Sequence, residues 1–403
     1  MKKSFLTAIL LLQSIALLPV LAPTTHKKVH GAILKDTAVS YIIGGEITNT
    51  DTSLGIFKIQ PGKQTFLIEY HSKNKDIADI YHHVQTVLQD LHEKHGITVS
   101  SACFAIPGIA KGDLFLHPHL PWSTSDDREK PADKSLNGLS KKKFLEKDGL
   151  EKVYFINDFQ AVALGTQLLD SSSLHTLQAG KSHPQKPKLV IGAGNGLGAS
   201  LLLWDNQLNR YVPQQLNYSF TEFGAQSDLE LAFFNYMKDQ TGNIAWGKVL
   251  GAGAGGIKLI YKFFDAHDAQ KEQEDKKYTL EKFVDYPHYL DIFTNRKVSP
   301  RCKDSVDFFV NAYARIIRNA AYAQAAYGGV YIANTVAQEF PELFATEAFI
   351  KNIVDLSGKV LDEGSRKYLE GYLAELPFYV VTDTKVQLYG AAALCLEPNL
   401  IRN

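Results

Sequence analysis

The chain has 403 residues, 45% of them hydrophobic, and is long enough to form two domains with separate cores. Its 43 lysines and arginines balance 43 aspartates and glutamates. The formal net charge of +0 therefore gives no reason to expect a nucleic-acid or acidic-membrane partner. The cysteines are widely separated, which excludes a zinc motif of the usual spacing and a disulfide framework; they are Cys103, Cys302 and Cys395.

The first segment of the chain has the pattern of a secretion signal. Lys2 and Lys3 precede an apolar run from residue 5 to residue 22. The run is short for a membrane span, which favours a cleaved signal peptide over an uncleaved anchor; a buried helix of the fold is the remaining alternative. We therefore predict a leader with a polar spacer at 1–37 and a fold that begins near Ala38.

The next part of the chain predicts an antiparallel meander, then a helix and a buried strand. β-rich runs separated by turn residues predict strands at 41–45, 54–59 and 65–70. Apolar residues recur at helical spacing within 76–95, and the apolar run at 101–106 ends at a Pro-Gly pair. The opening pattern is therefore β-β-β-α-β.

The rest of the chain repeats this theme of strands that lead into helices. The predicted elements are strands at 153–156, 188–191, 199–204, 328–333 and 376–381, and helices at 159–169, 228–239, 304–327 and 386–394. Two such units with a cleft between them suit a nucleotide bound in the middle. We predict an N-terminal lobe at 38–155, a larger C-terminal lobe at 156–394 and a tail at 395–403.

A glycine-rich segment at 192–198, Gly-Ala-Gly-Asn-Gly-Leu-Gly, joins two of these strands. Asn195-Gly196 between β-rich runs predicts a hairpin with a type I′ turn, whose two central residues need positive φ. Glycines carry no side chains, so backbone N–H groups can approach an anion closely, which suits a phosphate. The alternative interpretation is a tight turn that binds no ligand.

An Asn-Asp pair, Asn157 and Asp158, follows the predicted strand at 153–156. Catalytic carboxylates of open α/β sheets lie at the carboxyl ends of strands. The alternative interpretation is that the pair only caps the next helix. Together with the glycine-rich segment downstream, the pair indicates phosphoryl transfer to a hydroxyl group.

At these motifs the chain resembles the bacterial glucokinase family, over about residues 41–394. The matching segments, in the family's order, are 156–162, 192–198, 249–251, 328–333 and 389–392. The family comprises ATP-dependent hexose kinases. The resemblance therefore implies an α/β, two-lobed actin-like ATPase (ribonuclease H-like) fold with a cleft between the lobes, preceded here by the hydrophobic leader.

The resemblance also implies roles for the sugar-site residues. Asp158 occupies the place of the general base that takes the proton of the sugar 6-hydroxyl, and Asn157 would hold a sugar hydroxyl beside it. Glu222 matches the glutamate of a sugar-binding Glu-x-Gly-His motif, in which Ala225 replaces the histidine. A further sugar-binding glutamate of the family falls at Gly247.

For the nucleotide, the resemblance implies contacts of ATP with Glu46, Thr50, Gly192, Gly194, Asn195, Gly196, Ala333 and Asn334. Mg²⁺ would be bound through the nucleotide, with no metal ligand supplied by the protein. The family's first phosphate loop, Asp-x-Gly-Gly-Thr-Asn-x-Arg, corresponds to residues 46–53. There Glu replaces Asp, and both glycines and the arginine are absent. In the second loop, Asn195 stands where threonine is usual.

Two functions follow from these motifs. The first is ATP-dependent phosphorylation of a hexose 6-hydroxyl; the alternative is a catalytically degenerate relative that acts as a sugar- or nucleotide-binding or structural envelope protein. An actin-like or heat-shock-like ATPase, which would use the same superfold, is disfavoured by Ile-Asn-Asp-Phe at 156–159. The expected partners are a small sugar and ATP, without nucleic acid; a homodimer is left open. The leader indicates export or membrane anchoring, whereas an active kinase would have to be cytoplasmic.

Overall fold

The computed structural model describes residues 39–61, 63–117, 137–253, 255–267, 289–333, 335–356 and 361–401. The predicted leader and spacer at 1–37 lies outside these residues, and so does Asn334. Within the described ranges, no helix combines the length and apolar character that crossing a bilayer requires.

The first half of the fold is built on a five-stranded mixed sheet in the order β3-β2-β1-β4-β8. Strands β1, β2 and β3 are antiparallel neighbours, whereas β4 and β8 run parallel to β1. The elements of this half are β1 (Ser40–Ile47), β2 (Asp51–Gln60), β3 (Lys63–Lys73), α1 (Ile77–His95), β4 (Ser101–Ile106), β5 (Ile109–Lys111), β6 (Leu114–His117), β7 (Asn137–Ser140), α2 (Lys141–Asp148) and β8 (Lys152–Asn157).

The second half contains a six-stranded mixed sheet in the order β12-β11-β10-β13-β14-β9. Its elements are α3 (Asp158–Thr166), β9 (Leu174–Gln178), β10 (Lys188–Ala193), β11 (Leu197–Asp205), β12 (Arg210–Leu216), α4 (Asp228–Thr241), α5 (Trp246–Leu250), α6 (Gly256–His267), α7 (Tyr289–Thr294), α8 (Pro300–Ala323), β13 (Gly329–Ile332), α9 (Thr335–Glu339), α10 (Pro341–Phe344), α11 (Glu347–Val354), α12 (Glu363–Glu375), β14 (Phe378–Val381) and α13 (Val386–Leu396).

The two sheets repeat one arrangement. In the second sheet, β10, β11 and β12 form an antiparallel meander, and β13 and β14 continue the sheet parallel to β10. The same order of an antiparallel trio followed by two parallel strands occurs in the first sheet, and β9 is an extra antiparallel edge strand. The predicted α/β class with strands feeding helices is therefore confirmed, as two mixed sheets that share one strand arrangement.

The helices predicted at 304–327 and 159–169 depart furthest from the observed boundaries. The helix predicted at 304–327 begins at Pro300, because Ser299 caps it by accepting a hydrogen bond from the backbone N–H of Cys302 and proline is favourable in a first turn. It ends at Ala323, because Ala325 has a left-handed φ of 46°. The helix predicted at 159–169 spans only Asp158–Thr166.

Helices α3 and α13 lie between the two sheets. From α13, Leu388 and Ala392 pack against Ile42 and Phe57 of the first sheet. Helix α3 contributes to cores on both sides: Ala161 and Leu164 pack with Cys103 and Ala105, whereas Val162 and Ala163 pack with Val190 and Leu202. The chain thus returns to its first sheet at its last helix. The division into lobes at residue 155 stays a prediction.

Candidate active site

Asn157 is the N-cap of helix α3. Its Oδ1 accepts hydrogen bonds from the backbone N–H groups of Phe159 at 3.0 Å and Gln160 at 3.3 Å. Its Nδ2 donates to the carbonyl of Gly108 at 3.4 Å. The capping interpretation therefore holds for this side chain. Its predicted contact with a sugar hydroxyl stays a prediction, for which the amide has a second hydrogen to donate.

Asp158 is the first residue of α3 and is half-buried at the carboxyl end of the first sheet. Burial raises the pKa of its carboxyl group to about 6, against the opposing hydrogen bonds from the backbone N–H groups of Phe159 and of Asp158 itself. A carboxylate with a pKa near 6 is ionised at neutral pH and still takes up a proton readily. The position and the electrostatics both suit a general base.

Glu46 lies near Asp158 because of the strand register. Glu46 pairs with Ala105 on β4, and Ala105 pairs with Ile156 on β8. Asp158 follows two residues after Ile156. Burial raises the pKa of Glu46 to about 7, with further contributions from the charges of Asp158, Glu69 and Asp51. The two carboxyl groups thus share one end of the sheet, and the charge of Asp158 contributes to the raised pKa of Glu46.

Glu46 should lower stability at neutral and alkaline pH, because its folded pKa of about 7 lies above the ordinary 4.5. The folded state binds the proton more tightly than the unfolded chain between these values, so stability falls as pH rises through this window. We expect Glu46→Gln to raise the free energy of unfolding by about 1–3 kcal/mol at pH 8, after a discount for partial exposure, and to change it little at pH 4.

Urea denaturation at both pH values measures this effect. Glu151→Gln replaces an exposed glutamate and is the control. An equal effect of Glu46→Gln at pH 4 and pH 8 would contradict the assigned environment of Glu46.

The turn between β1 and β2 is closed by its own hydroxyl groups. Thr48 Oγ1 accepts hydrogen bonds from the backbone N–H groups of Asp51 at 3.0 Å and Thr50 at 3.3 Å. Thr50, a predicted nucleotide contact, donates its hydroxyl hydrogen to the Asp51 carboxylate. The turn lacks the glycines that would make it flexible, and these hydrogen bonds stabilise one conformation of it.

Two basic residues on β3 that no sequence motif indicated, His71 and Lys73, lie beside this turn. Lys73 Nζ lies 2.6 Å from the Asp51 carboxylate and His71 Nε2 lies 3.1 Å from it. His71 Nδ1 also lies 3.0 Å from Oγ of Ser53, the position at which the family motif has arginine. Because side chains alternate along a strand, the sequence places His71 and Lys73 on the same face of β3. It does not show that β3 pairs with β2, and this pairing brings both residues to Asp51.

The glycine-rich hairpin packs directly on the start of α3. A Cβ at Gly198 would lie 1.8 Å from the ring of Phe159, so only glycine allows this contact. A Cβ at Gly253 would lie 2.2 Å from Oδ1 of Asn195, and the backbone N–H of Gly253 donates to the carbonyl of Gly194 at 3.0 Å. The hairpin therefore lies next to the residue that follows Asp158.

The predicted type I′ turn is wrong. Ala193 pairs with Leu197, which leaves a loop of Gly194, Asn195 and Gly196, and neither Asn195 nor Gly196 has a positive φ. A three-residue loop is not bound by the dihedral requirements of a two-residue turn. The backbone N–H of Gly194 donates to the carbonyl of Gly196 at 2.8 Å.

The other predicted nucleotide contacts differ in exposure. Gly192 and Gly194 are buried in the hairpin, whereas Asn195 and Gly196 are exposed at its tip. Among the described residues, no atom lies within 4 Å of the position that a Cβ of Gly196 would take. Ala333 is buried at the end of β13, where its N–H donates to the carbonyl of Ile191 at 2.9 Å.

Glu222 is exposed on a segment that pairs with the start of α5. Its backbone forms a single bridge with Ala245, flanked by a hydrogen bond from the N–H of Phe223 to the carbonyl of Ile244 at 2.8 Å. The pairing brings the Glu222 segment beside Gly247. A Cβ at Gly247 would lie 2.1 Å from Oγ of Ser219, so Ser219, which no sequence motif indicated, occupies the space where a larger side chain would begin.

Solved structures with this architecture define the class of protein. Glucokinase from Balamuthia mandrillaris, in complex with glucose, superposes with a TM-score of 0.69 at 16% identity and covers 90% of this chain and 95% of that chain. A ROK family glucokinase from Streptomyces griseus, in complex with glucose and AMPPNP, gives a TM-score of 0.56 at 14% identity, with coverage of 89% and 100%. The chain therefore has the fold of the actin-like sugar kinases.

The family follows from the sequence comparison. The glucokinase family model matches residues 43–398, and the chain belongs to this family. Glucokinase from Nostoc punctiforme is 27% identical over 372 residues, which cover 89% of this chain and 99% of that protein. The family suggested by the motifs at 156–162 and 192–198 is thus confirmed.

Proposed function

We propose that this protein is an ATP-dependent hexose kinase that phosphorylates the sugar 6-hydroxyl, with Asp158 as the general base. The observation that carries the proposal is the position of Asp158: half-buried at the start of α3, with a pKa raised to about 6 and the glycine hairpin packed on the adjacent Phe159. Family membership and the motif Ile-Asn-Asp-Phe at 156–159 support the same activity.

Asp158 would act by accepting the proton of the sugar hydroxyl as its oxygen attacks the terminal phosphorus. At pH 7 the carboxylate is mostly ionised, and burial favours its neutral form once the proton has arrived. The cap formed by Asn157 fixes the first turn of α3 and therefore the direction of the Asp158 side chain. The rate should consequently decline as the pH falls below about 6.

The chain's residues fit ATP at the hairpin. The open space at Gly196 allows an anion to approach the backbone closely, which a side chain would prevent. Mg²⁺ bound through the nucleotide neutralises phosphate charge. If ATP binds with its Mg²⁺ close to Glu46, the positive charge would lower the pKa of this carboxyl group from its raised value.

The sugar preference is expected to differ from that of a typical family member. Ala225 and Gly247 cannot supply the hydrogen bonds of the family's histidine and glutamate, each worth about 0.5–3 kcal/mol depending on charge. Loss of both would weaken glucose binding by roughly a hundredfold or more. The Ser219 hydroxyl is the polar group closest to the position of the missing glutamate.

A non-catalytic sugar- or nucleotide-binding protein is the second candidate. The observation that favours it is the turn at 48–50, which lacks glycine and has its hydroxyl groups bonded within the turn. Coupled ADP release by the full-length chain with a panel of hexoses separates the two candidates. Hexose-dependent ADP release supports the kinase, whereas no turnover with any hexose supports the inactive protein. A thermal shift with ATP or with a sugar then shows which ligand the inactive protein binds.

A further inference from the structure

Arg315 on α8 is a buried cation close to the candidate sugar-binding segments. Its side chain is 5% exposed, and its Nη1 lies 2.5 Å from Oε2 of Glu230. Its guanidinium carbon lies 4.8 Å from the ring centroid of Phe223 and 5.1 Å from that of Trp246. The guanidinium group therefore contacts two aromatic rings and one carboxylate at once.

The two aromatic residues belong to the two segments that would carry the sugar site. Phe223 follows Glu222, and Trp246 precedes Gly247. The N–H of Trp246 donates to the carbonyl of Thr221 at 2.8 Å, and the rings of Phe223 and Trp246 lie 5.0 Å apart. Arg315 thus lies against both members of one paired unit.

Glu230 extends this contact to the loop before α4. Its Oε2 accepts a hydrogen bond from the backbone N–H of Gln226 at 2.6 Å as well as the ion pair from Arg315. The N-cap Ser227 accepts from the N–H of Glu230 at 3.2 Å. One carboxylate therefore connects the buried cation to the segment that contains Ala225.

A gain in folding stability does not explain the buried ion pair of Arg315 and Glu230. Among the described residues, Nε and Nη2 of Arg315 have no hydrogen-bond partner although both atoms are buried. Desolvation of a guanidinium group is expensive, and apolar replacements of buried ion pairs are often as stable as the pairs themselves. Buried ionic groups can instead specify one geometry among several that an apolar core would allow.

We propose that Arg315 and Glu230 form a positioning pair that fixes the hexose-binding segments 221–225 and 245–247 through Phe223 and Trp246. In this role neither side chain needs to contact the sugar itself. The inference rests on the proposed hexose kinase activity. In this proposal Arg315, which is 85 positions from Glu230 in sequence, determines the orientation of Glu222.

The test replaces the pair by an uncharged one, Arg315→Met with Glu230→Gln, in the full-length chain. The glutamine keeps an acceptor for the N–H of Gln226, and the double change leaves no buried charge without a partner. We expect the KM for hexose to rise about 10- to 100-fold, because small displacements of positioning groups have effects of this size. The kcat and the KM for ATP should change less than about threefold.

Arg301 and Asp265 provide the matched control. Arg301 is also on α8, is 4% exposed, pairs with Asp265 at 2.8 Å and lies 5.6 Å from the ring of Tyr261. Arg301→Met with Asp265→Asn should leave the hexose KM within about twofold of the wild type. Equal rises of the hexose KM in both double variants, or none in the Arg315 variant, would overturn the proposal.

Hydrogen exchange separates this inference from the kinase proposal. The amides of Phe223 and Trp246 are hydrogen-bonded between the two segments. They should exchange about tenfold faster in the Arg315→Met, Glu230→Gln variant and at the wild-type rate in the Arg301 control variant. If the wild type phosphorylates no hexose, the kinase proposal fails, while unchanged exchange at these amides overturns the positioning role whatever the activity.

Discussion

Asp158→Asn is expected to lower kcat for hexose phosphorylation by about 10²- to 10⁴-fold, the usual effect of removing a general base. The amide has nearly the size of the carboxyl group but cannot accept the proton of the sugar hydroxyl. The helix start should remain intact, because Asn157 provides the cap of α3. The measurement is coupled ADP release at saturating hexose and ATP.

Asp228→Asn is the matched control for this variant. Asp228 is the first residue of α4, as Asp158 is of α3, so both changes remove one acidic side chain from the first turn of a helix. Asp228 is exposed, and its replacement should leave kcat unchanged. Retention of more than about a tenth of the wild-type kcat by Asp158→Asn would contradict the role of general base.

Gly390→Ala is expected to destabilise the fold by about 3 kcal/mol or more, as overpacking of a tight interface does. Gly390 lies on α13 where that helix meets α3. A Cβ there would lie 1.8 Å from the carbonyl oxygen of Ala161 and 2.7 Å from the backbone nitrogen of Gly165. Both atoms belong to backbone, which cannot turn away as a flexible side chain can. The helices would have to separate.

Gly371→Ala gives the opposite result and is the control. Gly371 lies within α12, and among the described residues no heavy atom beyond its chain neighbours and the backbone of its own helix is within 4 Å of its added Cβ. Alanine at an open helical position should stabilise by about 0.5–1 kcal/mol. Urea denaturation measures both variants. Stabilisation of the protein by Gly390→Ala would show that α3 and α13 are not packed as described.

The contact at Gly390 also links packing to the site. Helix α3 carries Asp158 at its start and Ala161 in its interface with α13. A displacement of α3 that relieves the clash would move the carboxylate relative to Glu46 on β1. We therefore expect any folded Gly390→Ala protein to lose activity as well as stability.

Apolar runs and helical spacing in the sequence correctly predicted several strands and helices. The run at 101–106 is buried at every position and gave the correct strand limits, and helical spacing placed α1. The hairpin at 192–198 was also found, although its turn type was wrong, because an Asn-Gly pair does not reveal how many residues separate the last paired positions.

The parts of the site that depend on distant partners could not be predicted. Lys73 and His71 meet Asp51 only because β3 pairs with β2, and Arg315 meets Glu230 only in the folded core. Asp158 was indicated by its place after a predicted strand and by the motif resemblance, whereas Glu46 was named by the resemblance alone. Their raised pKa values come from burial, which the sequence does not show.

The most direct measurement is a ³¹P NMR time course of the full-length wild-type chain with ATP, Mg²⁺ and each of several hexoses. We expect the γ-phosphate resonance of ATP to be replaced, one for one, by the resonance of a hexose 6-phosphate. Release of inorganic phosphate alone, or an unchanged ATP spectrum with every hexose, would contradict phosphoryl transfer to a sugar hydroxyl at Asp158.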